Sequence, residues 1–134
     1  MTILALLATA LLFGGATLFS FGLAPLVFAA LPPDLARSTI RRAFPPFYLF
    51  VIVASAAASA MTWPVDRLAA ALLALIAVTT IATRQVPMPA INQASDGGDK
   101  ARFKALHGAS VAITLVHIAL AAYVLARFAA RVAG

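Results

Sequence analysis

The segment from Thr2 to Leu31 contains no charged residue, and this run of about thirty residues is the strongest constraint on the fold. A transmembrane helix needs about 20 apolar residues, so the run is long enough to cross a bilayer with a tilt or a kink. Gly22 and Pro25 mark the expected position of that kink. A chain with such a segment is expected to be a membrane protein.

Three shorter apolar runs follow, separated by prolines and charged residues. We predict a first helix over about 2–31 and further helices over about 46–62, 66–84 and 103–127. Hydrophobic residues make up 63% of the chain and charged residues 10%, against about 45–50% and about 25% in an average soluble domain. The sequence therefore predicts an all-α fold, a polytopic antiparallel bundle of four transmembrane helices that forms one domain over 1–134.

Lys and Arg are distributed unequally between the two sides of this bundle. The segments 32–46 and 84–104, which we predict to be loops, hold seven of them, and the opposite side holds three. By the positive-inside rule, both loops then lie in the cytoplasm and both termini outside, in a bacterial-type inner membrane or its equivalent. The net charge of +6 accordingly indicates the anionic lipid bilayer as a partner, and not nucleic acid.

Each predicted helix carries one face of small and hydroxylated residues. In the fourth helix this face is His107, Ser110, Thr114 and His117, at steps of three, four and three residues. The corresponding faces of the first three helices are Thr9, Phe13, Ala16 and Ser20; Tyr48, Ile52, Ser55, Ser59 and Thr62; and Ile76, Thr80 and Thr83. Such faces let membrane helices approach closely, so we expect the four to meet in the interior, with most hydroxyls bonded to a carbonyl of their own turn. For His117, a neutral ring bonded to a threonine is the alternative to a functional role.

Chemically distinctive side chains gather at the predicted cytoplasmic mouth of the bundle. The candidate ligand-binding residues are Arg42, Tyr48, Arg84, Asn92, Asp96 and His107 at the mouth, continued inward by Ser110, Thr114 and His117. The two arginines would hold an anionic or carbonyl group, or else contact lipid phosphate. Tyr48 and His107 would exchange hydrogen bonds with the ligand. Asn92 and Asp96 would fix the loop over the entrance.

Several classes of function are disfavoured by the composition. Cysteine is absent, which removes thiolate metal sites, iron–sulfur ligation and cysteine nucleophiles. Glutamate is also absent and every aspartate lies outside the apolar runs, whereas ion-coupled transporters keep an acid in the membrane core. His107 and His117 lie about 15 Å apart along one helix, so a single chain is poorly arranged to ligate a haem with both. We predict no metal and no cofactor, although haem and quinone are left open.

Three functions are compatible with these residues. The first is a non-enzymatic bundle that binds a small lipophilic or amphipathic ligand for transport or sequestration, and it predicts a cavity toward the mouth. The second is an accessory or structural subunit that binds a membrane partner or another copy of itself, and it predicts no cavity and an outward stripe of small residues. The third is an oxidoreductase or oxygenase acting on a quinol-like substrate through His107, Tyr48 and Arg84, an analogy of fold alone. We favour the first, and therefore a protein that is not an enzyme.

Three segments in order, "LFSFGLAPLVFAALPPDLARSTIRRAFPPFY", "RQVPMPAINQASD" and "FKALHGASV", resemble the transmembrane protein 205-like family of small four-helix membrane proteins. The resemblance covers almost the whole chain and implies a four-helix bundle. It carries over the positions Phe44, Pro45, Tyr48, Arg84, Pro87, Asn92, Asp96, Phe103, His107 and Ser110. Thr114 and His117 stand where the family pattern has an asparagine and a glutamine.

Overall fold

The computed structural model describes residues 2–133, and these residues form six α-helices and one π-helical turn. In chain order they are α1 (Thr2–Leu18), the π-helical turn (Phe19–Leu23), α2 (Ala24–Ala30), α3 (Pro33–Thr62), α4 (Arg67–Gln85), α5 (Pro87–Asp96) and α6 (Lys100–Ala133). The stretches long and apolar enough to cross a membrane are Ile3–Ala30, Pro33–Thr62, Arg67–Asp96 and Lys100–Ala133. The chain is therefore a small helical membrane protein, and the predicted all-α four-helix bundle is confirmed.

The irregularity that we expected at Gly22 and Pro25 is the π-helical turn between α1 and α2. The backbone N–H of Ala24 donates to the carbonyl of Phe19, five residues earlier, which is the π-helical pattern. Pro25 follows at once, and it has no N–H to donate to the carbonyl of Phe21. The turn directs Phe19 and the α2 residues toward the space described below as the cleft.

The segment 32–46 is not a loop, and this part of the prediction is wrong. It forms the first turns of α3, so that helix begins at Pro33 and not at residue 46. Proline is favourable at the first helical position and Asp34 complements the positive end of the helix dipole, so the helix can begin there. Pro45 and Pro46, which we expected in a first turn, lie inside α3 on exposed positions.

The segment 84–104 is also mostly helical, although we predicted a loop. Pro87 starts α5, which continues to Asp96, and α6 begins at Lys100. The buried residues of α5 are Met88, Ile91 and Ala94, at steps of three residues that form one apolar face. That face packs against α4 and α6, and its burial explains why a segment with so many polar residues is a helix.

The interior is formed by the faces that the sequence predicted to meet. α1 packs on α3 and α6, and α4 packs on the same two helices, which closes the bundle. The buried hydroxylated residues are Thr9, Ser55, Thr62, Thr80, Thr83 and Ser110. Those on α1, α3 and α4 donate to carbonyls of their own turns, as Thr9 does to Ala5 at 2.8 Å and Thr80 to Ile76 at 2.6 Å. Large apolar side chains such as Leu11 and Val78 are exposed on the outside, where lipid would cover them.

The bundle has two ends that differ in their chemistry. At the end that we call the Asp66 end, the turn between α3 and α4 lies beside the start of α1 and the end of α6. At the opposite end, the Asp96 end, α2 and α5 terminate while α3 and α6 begin. The predicted site residues lie at the Asp96 end and along the interior that leads away from it.

Candidate functional site

A cleft of about 650 Å³ opens at the Asp96 end. Its walls come from the π-helical turn and α2 on one side and from α6 on the other, with α3 and α5 between them. The lining residues are Phe19, Ser20, Phe21, Ala24, Pro25, Phe28, Asp34, Arg37, Ser38, Ile40, Arg41, Phe44, Phe47, Met88, Ile91, Asn92, Ser95, Asp96, Phe103, His107, Ser110, Val111, Thr114 and Leu115. α1 packs on both α3 and α6, but α2 packs on α3 and leaves a space between itself and α6. This space is the cleft.

Aromatic rings form much of the wall below α2. Phe19 of the π-helical turn stacks on Phe47 of α3, with ring centroids 4.0 Å apart and planes 7° apart. Phe44 meets Phe19 edge-on at 5.4 Å, and Tyr48 lies 5.5 Å from Phe44. Offset stacked and edge-on arrangements are the favourable ones for aromatic pairs. Phe19, Phe44 and Phe47 therefore form one apolar surface on this side of the cleft, and Tyr48, which lines the inner cavity, packs against it.

The α6 side of the cleft combines an aromatic surface with hydrogen-bonding groups. Phe103 and His107, one helical turn apart, lie with parallel rings 5.6 Å between centroids. Ser110 lies one turn further along α6, where its hydroxyl is 3.3 Å from the hydroxyl of Tyr48. His107 is exposed to the cleft and Ser110 is buried at its inner limit. A bound molecule could thus meet an imidazole near the entrance and a hydroxyl pair further in.

Charged side chains lie at the entrance to the cleft. Arg41 of α3 donates to both carboxylate oxygens of Asp96 of α5, at 2.7 and 3.1 Å. Arg37 lies one turn before Arg41 on the same wall, and among residues 2–133 it has no ion-pair partner. Asn92 lies one turn before Asp96 on α5. The entrance therefore offers a free guanidinium and an amide beside a guanidinium that is already paired.

The predicted site residues fall into three groups in the structure. Those that line the cleft are Asn92, Asp96, His107, Ser110 and Thr114. Those that line a second, inner cavity are Tyr48, Thr114 and His117. Arg42 and Arg84 are exposed and line neither cavity. The structure thus brings seven of the nine predicted residues to two adjoining cavities, which Thr114 connects.

The arginines of the cleft, Arg37 and Arg41, were missed because we treated 32–46 as a loop. Once α3 begins at Pro33, the steps from Asp34 to Arg37, Arg41, Phe44 and Tyr48 are three, four, three and four residues. These residues therefore share one face of the helix, and Arg42 is rotated by about 100° away from Arg41. The helical signal was readable in the sequence, but only with the correct helix start.

The inner cavity has a volume of about 10 Å³ and lies between α1, α3, α4 and α6. His117 borders it, and the Nε2 atom of this histidine lies 2.7 Å from Oγ1 of Thr79 on α4. The bond to a threonine is the arrangement that we gave as the alternative to a functional role for His117. Thr114, one turn before, donates its hydroxyl to the carbonyl of Ser110 at 3.1 Å.

The Asp66 end contains an ionic cluster that no pattern in the sequence predicted. Asp66 accepts from Nε and Nη2 of Arg127 at 2.9 and 3.1 Å, and Arg131 lies 3.3 Å away. The same carboxylate caps α4 by accepting from the N–H of Ala69 at 3.1 Å. The hydrogen bond from Arg127 is the main cause that holds the pKa of Asp66 below its ordinary value. This cluster ties the end of α6 to the start of α4.

A metal centre is not formed by the residues that the structure describes. Over 2–133, no group of three or more His, Cys, Asp or Glu side chains is close enough to hold an ion. Of the two histidines, His107 is at the cleft and His117 at the inner cavity. The residues that line the site can form hydrogen bonds, charge pairs and aromatic contacts.

Comparison with known protein families identifies a match over most of the chain. Residues 7–100 match a family described as a domain of unknown function, DUF4149. Among curated proteins and among solved structures, none matches the chain. The matched range covers the π-helical turn, α3 and α5, which supply the aromatic wall and the charged entrance of the cleft, and it ends where α6 begins.

Proposed function

The chain belongs to the family described as a domain of unknown function, DUF4149, and we propose that it binds a small amphipathic molecule in the cleft at the Asp96 end. The observation that carries the proposal is the cleft itself, an aromatic space of about 650 Å³ with charged groups at one edge. Pockets for small molecules commonly measure about 300–1,000 Å³, with mostly apolar walls and a few polar groups that fix orientation.

The distribution of side chains in the cleft suggests how the ligand would lie. Phenylalanines account for six of its lining residues, in a chain that has nine in total. They would contact the apolar part of the molecule. Its polar part would be bound at the entrance by Arg37, Asn92 and His107. These side chains can donate hydrogen bonds, which suits a ligand that carries an acceptor such as a carboxylate, phosphate or carbonyl oxygen.

The proposal is tested by native mass spectrometry of protein purified in mild detergent. We expect the wild type to retain a lipophilic mass and Arg37→Ala to lose most of it. Arg84→Ala is the matched control, because Arg84 is exposed on the same end of the bundle but does not line the cleft. Equal retention by the two variants would count against a role for Arg37. Absence of any retained or added ligand in the wild type would overturn the proposal.

A second pair of variants tests the cleft without changing a charge. Val111 lines the cleft, and Val111→Phe would fill part of it. Val116 is a valine of the same helix that is also exposed but does not line the cleft. We therefore expect Val111→Phe to reduce retention and Val116→Phe to leave it unchanged. The same result for both would indicate that ligand retention does not depend on the cleft.

We propose that the Asp96 end faces the cytoplasm of a bacterial-type inner membrane, with both termini outside. Seven of the ten Lys and Arg residues lie in the segments at that end, which supports the orientation. Because the chain has no cysteine, single reporter cysteines can be introduced cleanly. A membrane-impermeant thiol reagent on intact cells should modify Val65→Cys and spare Gln93→Cys. The opposite labelling would reverse the orientation.

The two other functions have distinct outcomes in the same experiments. An accessory subunit would purify with a partner or as a stable multimer and retain no small molecule. The exposed small residues Ala56, Ala57 and Ala60 on α3 are where a partner helix could approach. An oxidoreductase would retain a coloured group or a quinone, visible as absorbance between about 350 and 700 nm. We also propose that the chain is related to the transmembrane protein 205-like family, which the order of the three motifs supports.

A further inference from the structure

The inner cavity beside His117 carries an inference that does not depend on a ligand in the cleft. We propose that this cavity binds one ordered water molecule, which donates a hydrogen bond to Nδ1 of a neutral His117. The volume of about 10 Å³ is close to the space that a single water needs. Apolar cavities stay dry, but the lining of this one includes the hydroxylated residues Tyr48, Thr80, Thr83 and Thr114 as well as His117.

The hydrogen bonds around Thr79 favour a His117 tautomer with the proton on Nε2. A threonine hydroxyl has one hydrogen, and Thr79 directs it to the carbonyl of Leu75 at 2.7 Å. With that hydrogen on Leu75, the contact of 2.7 Å between Thr79 Oγ1 and His117 Nε2 is a hydrogen bond if Nε2 is the donor, and the proposal takes this tautomer. In a neutral imidazole the other nitrogen, Nδ1, is an acceptor. Within residues 2–133 no side chain or backbone group donates to it.

The threonines of the cavity cannot supply the missing donor, because each gives its proton to its own helix. Thr80 donates to Ile76 at 2.6 Å, Thr83 to Thr79 at 2.8 Å and Thr114 to Ser110 at 3.1 Å. Their oxygens still have lone pairs that can accept. The hydroxyl of Tyr48, which pairs with that of Ser110, is a further donor at the cavity. The acceptors of the three threonines and of His117 still outnumber it, and a water molecule, which brings two donors, corrects this imbalance.

We expect water to reach the inner cavity from the cleft, because the two spaces share Phe47 and Thr114 in their walls. Thr114 borders both spaces, whereas no other polar residue does. Beyond His117 toward the Asp66 end, the interior is closed by packed residues such as Leu73, Ala121 and Val124. The hydrated path therefore enters at the Asp96 end and ends at His117, so it forms a blind extension of the cleft and not a pore.

The test uses the fact that the chain has two histidines in different surroundings. Protein labelled with 13C and 15N in histidine alone is studied by solid-state NMR in lipid bilayers, and His107→Gln assigns the two sets of signals. We expect His117 to be neutral with its proton on Nε2 and to receive magnetisation from water at Nδ1. A proton on Nδ1 of His117, or no transfer from water while His107 shows transfer, would overturn the proposal.

A matched pair of variants tests the route through Thr114. Thr114→Val keeps the shape of the side chain but removes its hydroxyl, so transfer from water to His117 should fall to background. Thr17→Val is the control, because Thr17 lies on α1 and borders neither cavity. Undiminished transfer in Thr114→Val would refute the route, and the wild-type spectrum tests the water site itself even if the variant folds poorly.

Discussion

The two ends of the bundle each join separate helices through an aspartate and an arginine, yet the two pairs lie in different environments. At the Asp66 end the carboxylate side chain is 2% exposed, caps α4 and meets both Arg127 and Arg131. At the Asp96 end both partners are exposed, Asp96 by 63% and Arg41 by 45%. Exposed ion pairs contribute little to stability, whereas removing one partner of a buried pair leaves an uncompensated charge. The ion pairs therefore help to hold the Asp66 end together, whereas the pair at the Asp96 end contributes little to stability.

The two ends also differ in whether they border a cavity. The closed Asp66 end connects α3, α4 and α6 and borders no cavity described above. The Asp96 end has the cleft, the free Arg37 and the exposed His107. Sites that admit and release a molecule belong to the less stable parts of a fold. The predictions below test this division, beginning with the largest expected effect.

Asp66→Ala should destabilise the protein most. The change removes the N-cap of α4 and the carboxylate that Arg127 and Arg131 share. Loss of an N-cap alone costs about 1 kcal/mol, so the free energy of unfolding should fall by at least that amount. Unfolding by SDS in mixed micelles, followed by circular dichroism, measures it. Asp34→Ala, an aspartate in the first turn of α3 without a side-chain cap bond, is the control. Equal losses in the two variants would remove the distinction between the ends.

The stability contributed by Asp66 should depend on pH in a defined direction. Its pKa is lowered in the folded state, chiefly by the hydrogen bond from Arg127. The contribution is therefore fully present above the ordinary pKa of 3.8 and is lost as the pH falls through the lower, folded value. Asp66→Asn keeps an N-capping side chain but cannot ionise, so its stability should decline less between pH 5 and about pH 2 than that of the wild type. If the stability of Asp66→Asn and of the wild type declined equally as the pH falls, the ion pair would add nothing to the stability that the N-cap contributes.

A contact midway between the ends should have an intermediate effect. Thr79→Val removes the hydrogen bond to His117 that joins α4 to α6. Hydrogen bonds between membrane helices average about 0.6 kcal/mol, so a loss of that size is expected in the same unfolding assay. Thr39→Val is the control, because Thr39 bonds only the carbonyl of Leu35 in its own helix. A loss equal to that of Asp66→Ala would mean that the middle of the bundle, and not the Asp66 end, holds it together.

Asp96→Ala should have no measurable effect on unfolding. The pair that it breaks is exposed on both sides, and solvent already screens it. We expect instead a change in the rate at which the cleft takes up a charged ligand, because a charge at the rim acts mainly on association. Stopped-flow fluorescence with a fluorescent anionic amphiphile measures that rate. Clear destabilisation by Asp96→Ala would show that the two ends are equally fixed.

Most of the candidate site was accessible from the sequence because helical periodicity places residues on faces. The steps from His107 to Ser110, Thr114 and His117 predicted one face of α6, and the structure brings that face to the two cavities. Arg42 and Arg84 do not line the cavities, because each directly follows a residue of the inward face, Arg41 or Thr83, and is therefore rotated by about 100° away from it. Because we did not predict that α3 begins at Pro33, we selected Arg42 instead of Arg41. The apolar face of α5 was overlooked because its polar residues outnumber the buried ones.

What the sequence determined by itself is the class of the fold. Apolar runs of sufficient length require helices in a membrane, because a bilayer offers no partners for free backbone groups. The tertiary structure alone decided which distant residues meet. Arg127 reaches Asp66 across 61 positions and Arg41 reaches Asp96 across 55. No local pattern encodes such pairs, since they depend on how the helices are arranged around one another. The cleft has the same origin, because it is the space left where α2 turns away from α6.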